Sequence, residues 1–433
     1  VKPQRVNAWP GWLLCPSTAV RAMATAAAVL ALTAGAGAGQ EDVTVVFDPD
    51  VDPGSGGSYP RVIQIQHHEG MQGDLLLTFA HRPNFQFYRS TDNGETWQME
   101  SEIPELGSQP SLLELPHQVG EFPAGTIMAA GMHGTEDGRQ VLSLYASSDG
   151  GGSWEFVSDI VVGTRGPYNP DQRLGITRIP TVWEPTLALD HAGRLMAYYA
   201  TERHKDLGYN QASAYRTSPD GGRTWGEVRF LTAVGDGYVR PGMPVVTDLP
   251  NGRIFAIYEI VSAPWMPIEP PNRGDLWVSP VFFKISDPIP PACGVPGGGP
   301  ETCQREVTFG DPGELGTLIL ADRHETINAT PYIVWSPWGG ENGTLIAVGR
   351  ETIRNEVGKV GNGALINRNL GQGLWEMVET PITYEPGNNG YSQVVLPIGD
   401  GREILHFVPV DGRILMARWQ LPEPGDAGGA PSP

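Results

Sequence analysis

Hydrophobic residues in this chain fall into short runs bounded by turn residues, not into helical stripes. Six runs share one form, a turn glycine leading into an apolar stretch. They are Gly73-Asp74-Leu75-Leu76-Leu77, Gly125-Thr126-Ile127-Met128-Ala129, Gly193-Arg194-Leu195-Met196-Ala197, Gly252-Arg253-Ile254-Phe255-Ala256, Gly343-Thr344-Leu345-Ile346-Ala347 and Gly412-Arg413-Ile414-Leu415-Met416. Glycine admits the positive φ of a hairpin turn, and the apolar stretch has strand length, so each run reads as the second strand of a hairpin. Past the N-terminal segment no long amphipathic 3.6-residue period occurs. The pattern predicts an all-β chain, and six hairpin units in a row predict a six-bladed β-propeller over residues 39–421. The widest interval, Gly252 to Gly343, implies an insertion in one blade. Gly401 fits the form as well as Gly412 does, so the last blade boundary stays open.

A second repeat has the form S-x-D-x-G-x-[ST]-W. It occurs at Ser90-Thr91-Asp92-Asn93-Gly94-Glu95-Thr96-Trp97, at Ser147-Ser148-Asp149-Gly150-Gly151-Gly152-Ser153-Trp154 and at Ser218-Pro219-Asp220-Gly221-Gly222-Arg223-Thr224-Trp225. The segment Asn367-Arg368-Asn369-Leu370-Gly371-Gln372-Gly373-Leu374-Trp375 is a degenerate copy with one residue inserted. The chemistry is that of a turn. The Asp carboxylate accepts backbone N–H groups, the glycine takes positive φ, and the indole packs between strands. These Asp and Trp residues are assigned to folding.

Composition supports this reading and narrows the function. With 56 Gly and 40 Pro in 433 residues, a helical bundle is excluded, and 40% hydrophobic residues with 12 Trp exclude global disorder. A net charge of −20 repels phosphate backbones, so nucleic acid is not an expected partner. Residues 22–39 are uncharged and rich in Ala, Leu, Val and Gly, follow Arg5 and Arg21, and end in small residues. That is the layout of a secretory signal over residues 1–38, cleaved near Ala38, with a membrane anchor as the rival. The mature chain is then expected outside the cell, off the membrane and monomeric. Export would leave Cys293 and Cys303 flanking a Gly/Pro-rich loop, where a disulfide is expected to contribute roughly 2–3 kcal/mol. Residues 422–433 read as a frayed tail.

The repeated turn is the Asp-box of sialidases and related propellers. Further blocks resemble a narrower group. Trp183-Glu184-Pro185 followed by Gly193-Arg194-Leu195, and Arg240-Pro241-Gly242-Met243-Pro244-Val245-Val246 followed by Ile257-Tyr258-Glu259, resemble glycoside hydrolase family 93, the exo-α-1,5-L-arabinanases. So do Tyr59-Pro60-Arg61-Val62-Ile63 and Asn389-Gly390-Tyr391-Ser392, and the likeness runs over about residues 45–420. It implies retaining hydrolysis of an arabinan, with arabinobiose as product. Glu184 then matches the general acid/base, Glu259 the nucleophile, and Tyr391 a tyrosine contacting the nucleophile.

The residues themselves allow this. Glycoside hydrolysis needs one carboxyl that holds a proton and another that is ionised. Glu259 ends the apolar run Ile254-Phe255-Ala256-Ile257-Tyr258, where a charge needs a partner or a task. Arg61 and Arg240 either orient carboxylates and sugar hydroxyls or form an ion pair between blades. Trp183, Trp265, Trp277, Trp335 and Trp338 lie outside the Asp-boxes, and Trp183 and Trp335 are the candidates to line a sugar subsite. His67-His68 and Arg323-His324 lack metal-ligand spacing, and neither metal nor cofactor is expected. Two alternatives remain. An exo-sialidase needs an Arg cluster for the substrate carboxylate and an Asp acid early in the chain. The stretch Arg82-Pro83-Asn84-Phe85 offers no such Asp. A non-catalytic binding propeller would leave Glu184 and Glu259 far apart or solvated.

Overall fold

The computed structural model of the protein describes residues 43–51, 56–81, 84–164, 181–261, 279–288, 306–322, 325–354, 358–385, 387 and 389–425. The expected signal segment, the Cys293–Cys303 pair, Trp265, Trp277, Arg323, His324 and most of the expected tail lie outside these residues.

The chain enters on β1 (Val43–Phe47) and then lays down antiparallel sheets in order. The first is β2 (Ser58–Gln64), β3 (Leu75–Ala80), β4 (Phe85–Ser90) and β5 (Gln98–Ile103). The second is β6 (Ser108–Glu114), β7 (Ile127–Gly134), β8 (Gln140–Ser147) and β9 (Glu155–Val162). The third is β10 (Val182–Leu189), β11 (Leu195–Thr201), β12 (Ala212–Ser218) and β13 (Arg229–Ala233). The fourth is β14 (Arg240–Asp248), β15 (Ile254–Val261), β16 (Val281–Ile285) and β17 (Thr317–Leu318). After β18 (Thr326–Asn328) come β19 (Tyr332–Ser336), β20 (Thr344–Val348), β21 (Glu351–Arg354), β22 (Gly358–Val360), β23 (Ala364–Asn367) and β24 (Glu376–Val378). Of these, β19-β20-β23-β24 form the fifth sheet, and β18-β21-β22 form a three-stranded sheet. The sixth sheet is β25 (Val394–Ile398), β26 (Glu403–Val410) and β27 (Arg413–Gln420), completed by β1 as its outermost strand.

The leading strands β2, β6, β10, β14, β19 and β25 each contact the next, and β25 returns to β2. The core is correspondingly divided into layers between neighbouring sheets. Leu75 and Leu77 pack toward the sixth sheet, while Leu76 between them packs toward the second. A second strand buried on both faces explains why these runs are solidly apolar rather than alternating.

The turn-glycine reading holds at five positions, where Gly73, Gly125, Gly193, Gly252 and Gly343 lead into β3, β7, β11, β15 and β20. The sixth is corrected. The second strand there is β26, which follows Gly401, while Gly412 leads into the third strand β27. The difference arises because β1 supplies the fourth strand, so the last three chain segments move inward by one place.

The Asp-box turns join third and fourth strands. In each, the Asp Oδ1 accepts the backbone N–H four residues on and the hydroxyl of the leading Ser, as for Asp92 with Thr96 and Ser90. Asp149 and Asp220 repeat the geometry. The Trp154 and Trp225 indoles donate to Ser101 and Ser158 of the preceding sheet, which ties one sheet to the next.

Candidate active site

The leading strands carry a repeated irregularity. Tyr59, Gln109, Glu184, Met243, Thr330 and Ser392 stand at the starts of β2, β6, β10, β14, β19 and β25, with φ of 56°, 56°, 61°, 51°, 43° and 56°. A positive φ is uncommon for residues with a side chain. Register shifts accompany it between Ser58 and Arg61, Ser108 and Ser111, Trp183 and Thr186, and Gly242 and Val245. These are bulges, and proline follows in five of the six, at 60, 110, 185, 244 and 331. Proline has no N–H to lose where a ladder is already broken. The bulge re-aims a side chain and frees backbone donors at the end of the strand.

Those freed groups link neighbouring sheets at one end of the fold. The Glu184 N–H donates to Gln109 Oε1 at 3.0 Å. The Met243 N–H donates to Glu184 Oε2 at 2.7 Å, and the Thr330 N–H to Glu259 Oε2 at 2.8 Å. The Ser392 N–H donates to Thr330 Oγ1 at 3.0 Å, and Arg61 reaches back to the Ser392 carbonyl and hydroxyl at 3.1 and 3.0 Å.

Glu184 and Glu259 come together over Gly242. Glu259 on β15 is the register partner of Gly242 on β14. A Cβ placed on Gly242 would lie 3.5 Å from Glu184 Oε2 and 3.9 Å from Glu259 Oε1. The two oxygens are therefore within about 8 Å of each other, a window that contains the spacing of a glycosidase carboxyl pair. Both side chains are half-buried. Burial raises Glu184 to about 8, and the neighbouring Glu259 charge adds to this against the Met243 N–H and Arg240. Burial also raises Glu259, but the Thr330 N–H, Arg240 and Arg350 hold it to about 6. At pH 7 one carboxyl keeps its proton and the other is mostly ionised.

Tyr391 is close enough to both carboxylates to feel their charges, and its ring is 6.2 Å from that of Tyr59. Burial, followed by the two Glu charges, pushes its phenol well above the ordinary value. Arg240 is 5% exposed and donates to Glu202 Oε1 at 2.7 Å and Gln211 Oε1 at 2.6 Å. It thus forms an ion pair with the fully buried Glu202, and its charge also acts on both Glu184 and Glu259. Arg61 is equally buried and lies over the rings of Tyr59 and Tyr332, at 4.2 and 5.0 Å. Trp183, the residue before Glu184, lines a cavity with Ser108 and residues of β7 and β8.

Trp335 does not join these residues, which corrects its candidacy for the subsite. It sits toward the far end of β19 from Thr330, and its indole N–H donates to the Asn342 carbonyl in the β19–β20 turn. There it packs against the core between the fourth and fifth sheets. His67 and His68 give their backbone N–H groups to the Glu114 carboxylate at 2.9 Å each. No three His, Cys, Asp or Glu side chains are grouped to hold a metal ion among the described residues.

Several site residues were not found from sequence: Tyr59, Gln109, Thr330, Glu202 and Arg350. The X-Pro dipeptides Tyr59-Pro60, Gln109-Pro110, Met243-Pro244 and Thr330-Pro331, matching Glu184-Pro185, were a readable signal for three of them. Arg350 had none. It follows β20 where the chain bends into the three-stranded sheet, and its guanidinium lies 5.7 Å from the Tyr391 ring centroid.

No family model and no curated protein matches the chain. Solved structures do. The complex of the GH93 α-L-arabinofuranosidase of Fusarium graminearum with arabinobiose is 25% identical, over 88% of this chain and 97% of that one, with a TM-score of 0.68. The Penicillium chrysogenum α-L-arabinanase complexed with arabinobiose is 28% identical, over 88% and 98%, with a TM-score of 0.66. A Hadza microbial sialidase, 15% identical over 88% of this chain and 68% of its own with a TM-score of 0.50, shares the fold alone. The resemblance to family 93 is thus met by solved structures of that family across most of the chain.

Proposed function

We propose that this protein, similar to the family 93 glycoside hydrolases in sequence blocks and in fold, is a retaining exo-glycosidase that hydrolyses α-1,5-linked L-arabinan and releases arabinobiose. The fold is read as a six-bladed propeller, supported by the closed succession of leading strands. The observation that carries the function is the pair Glu184 and Glu259, which approach one point over Gly242 from unlike environments.

In this reading the ionised Glu259 attacks the anomeric carbon. The neutral Glu184 gives its proton to the departing glycosidic oxygen, so the C–O bond breaks as the glycosyl–Glu259 ester forms. Glu184, now a carboxylate, takes a proton from water, and that water releases the sugar and restores Glu259. Tyr391 stays a neutral phenol beside the nucleophile. Arabinan is neutral, so a chain of net charge −20 approaches it without repulsion. Export with cleavage near Ala38, a Cys293–Cys303 disulfide and a monomeric state belong to the same proposal.

The sialidase alternative fares worse. Recognition of a sialic acid carboxylate needs guanidinium groups free to form bidentate pairs. Arg61 and Arg240 are buried and bonded to protein acceptors. The proximity of Glu184 and Glu259 also disagrees with a purely binding propeller.

The test is chromatography of products after incubation with linear α-1,5-arabinan. The wild type is expected to release a disaccharide, and Glu259→Gln to release none. Absence of any product from the wild type overturns the proposal.

A further inference from the structure

A cavity of about 540 Å³ opens between the second and third sheets, lined by Glu105, Ser108, Met132, His133, Gln140 and Trp183 among others. That volume is typical of a small-molecule site. Two of its wall residues directly precede the hydrogen-bonded pair Gln109 and Glu184. Going around the leading strands, the cavity comes first, then Glu184 on the third sheet, then Glu259 on the fourth. Glu184 therefore stands between the cavity and Glu259.

We propose that this cavity is the subsite for the leaving-group sugar, and that it commits the site to a neutral glycosyl leaving group. The inference rests on the glycosidase reading above. A general acid acts on the leaving-group side of the scissile bond, and the nucleophile on the glycone side. The space beyond Glu184, away from Glu259, is where the departing unit must lie. Its lining has the chemistry of a sugar site. The Trp183 indole nitrogen is buried, so the ring offers hydrocarbon surface to the cavity, suited to the C–H face of a sugar. Gln140 and Ser108 bring groups that both donate and accept. Ser143 spends its hydroxyl proton on Asp159 at 2.7 Å, so its oxygen accepts from His133 Nε2 at 2.9 Å. That leaves His133 Nδ1 to pair with a sugar hydroxyl. The exposed Glu105 carboxylate accepts from hydroxyls too and repels an anionic leaving group.

The experiment compares two substrates with the same glycone. One is a linear 1,5-arabino-oligosaccharide, and the other a 4-nitrophenyl α-arabinobioside whose leaving group is not a sugar. For Trp183→Ala and Gln140→Ala, the ratio of kcat/KM on the oligosaccharide to kcat/KM on the aryl glycoside is expected to fall tenfold or more. The amount of folded enzyme cancels from this ratio, but a displaced Glu184 would also lower it for Trp183→Ala, because 4-nitrophenolate departs without a proton and a sugar does not. Gln140→Ala, on β8 and away from Glu184 in sequence, is therefore the deciding variant. A Gln140→Ala ratio within twofold of the wild type overturns the subsite while the glycosidase reading stands. A wild type inactive on both substrates overturns both.

Discussion

Glu259 and Gly242 are register partners across β15 and β14, and the missing side chain at Gly242 leaves the space into which the carboxylates of Glu184 and Glu259 reach. Its backbone is not left-handed, so the requirement there is for room and not for conformational freedom. A Cβ would come 2.7 Å from Gln211 Nε2. That amide cannot swing aside cheaply, because it is buried, donates to the Pro241 carbonyl and accepts from Arg240. Gly242→Ala is therefore expected to fold but to lose about 10²-fold in kcat/KM, the scale of a 1 Å misplacement. Kinetics alongside a circular-dichroism melt check this. An active variant within twofold of wild type would show that the Gly242 space is incidental.

The unlike environments of the two carboxyls set a pH window. The proposed mechanism needs Glu259 ionised and Glu184 protonated, so kcat/KM is expected to rise through about pH 6 and fall through about pH 8. Stability runs the other way for Glu184. Its folded-state value lies above the unfolded one, so the fold holds the extra proton and loses stability as pH rises through that interval. Glu184→Gln removes the effect. It should abolish the alkaline limb together with most activity, and raise the melting temperature more at pH 8 than at pH 5. A pH-independent change in melting temperature would contradict the assignment.

Arg240 is one of two cations that hold a single buried carboxylate. Glu202 is fully buried, and its other cationic neighbour, Lys205, stands 3.8 Å away. Arg240→Met should destabilise the fold in a denaturant melt, by less than the roughly 3–5 kcal/mol of a buried charge left with no partner, because Lys205 stays beside Glu202. Arg240 also lowers both site carboxyls, so what activity survives should have its pH window shifted upward. Adding Glu202→Gln removes the buried charge and should return much of the stability. It should also draw the alkaline limb part of the way back, because Glu202 raises Glu184, but leave the acid limb of Glu259 shifted. Recovery of the acid limb together with stability would mean that Arg240 acts on Glu259 solely through the fold.

The fold was legible wherever a local rule applied. Turn glycines and Asp-boxes encode hairpins through φ and through hydrogen bonds within a few residues, and both appear as read. Gly412 misled because strand order in the last sheet depends on β1, hundreds of residues away. The site was less legible for the same reason. Glu184 and Glu259 were singled out by resemblance and by the cost of a charge at the end of an apolar run. Their proximity depends on the bulges, which re-aim side chains across neighbouring sheets. Trp335 misled because an indole stacked in a hairpin and one lining a sugar subsite look alike in sequence.

The Asp-box turns give a control in which stability and activity should separate. Burial alone would raise Asp149, but the Ser153 and Ser147 hydroxyls and the Ser153 N–H outweigh it and hold the carboxyl below its ordinary value. A depressed carboxyl stabilises the fold above its unfolded-state value, and that contribution is lost as pH falls through the folded-state one. Asp149→Ala should then cost about 1 kcal/mol near neutral pH, the low end for hydrogen bonds at an exposed group. The gap from wild type should narrow below about pH 4. Because the turn joins β8 and β9 on the outer side of the second sheet, kcat should not change. Matched denaturant melts at two pH values, with activity on arabinan at the higher, would check this. A loss of kcat without a loss of stability would move this turn from folding into function.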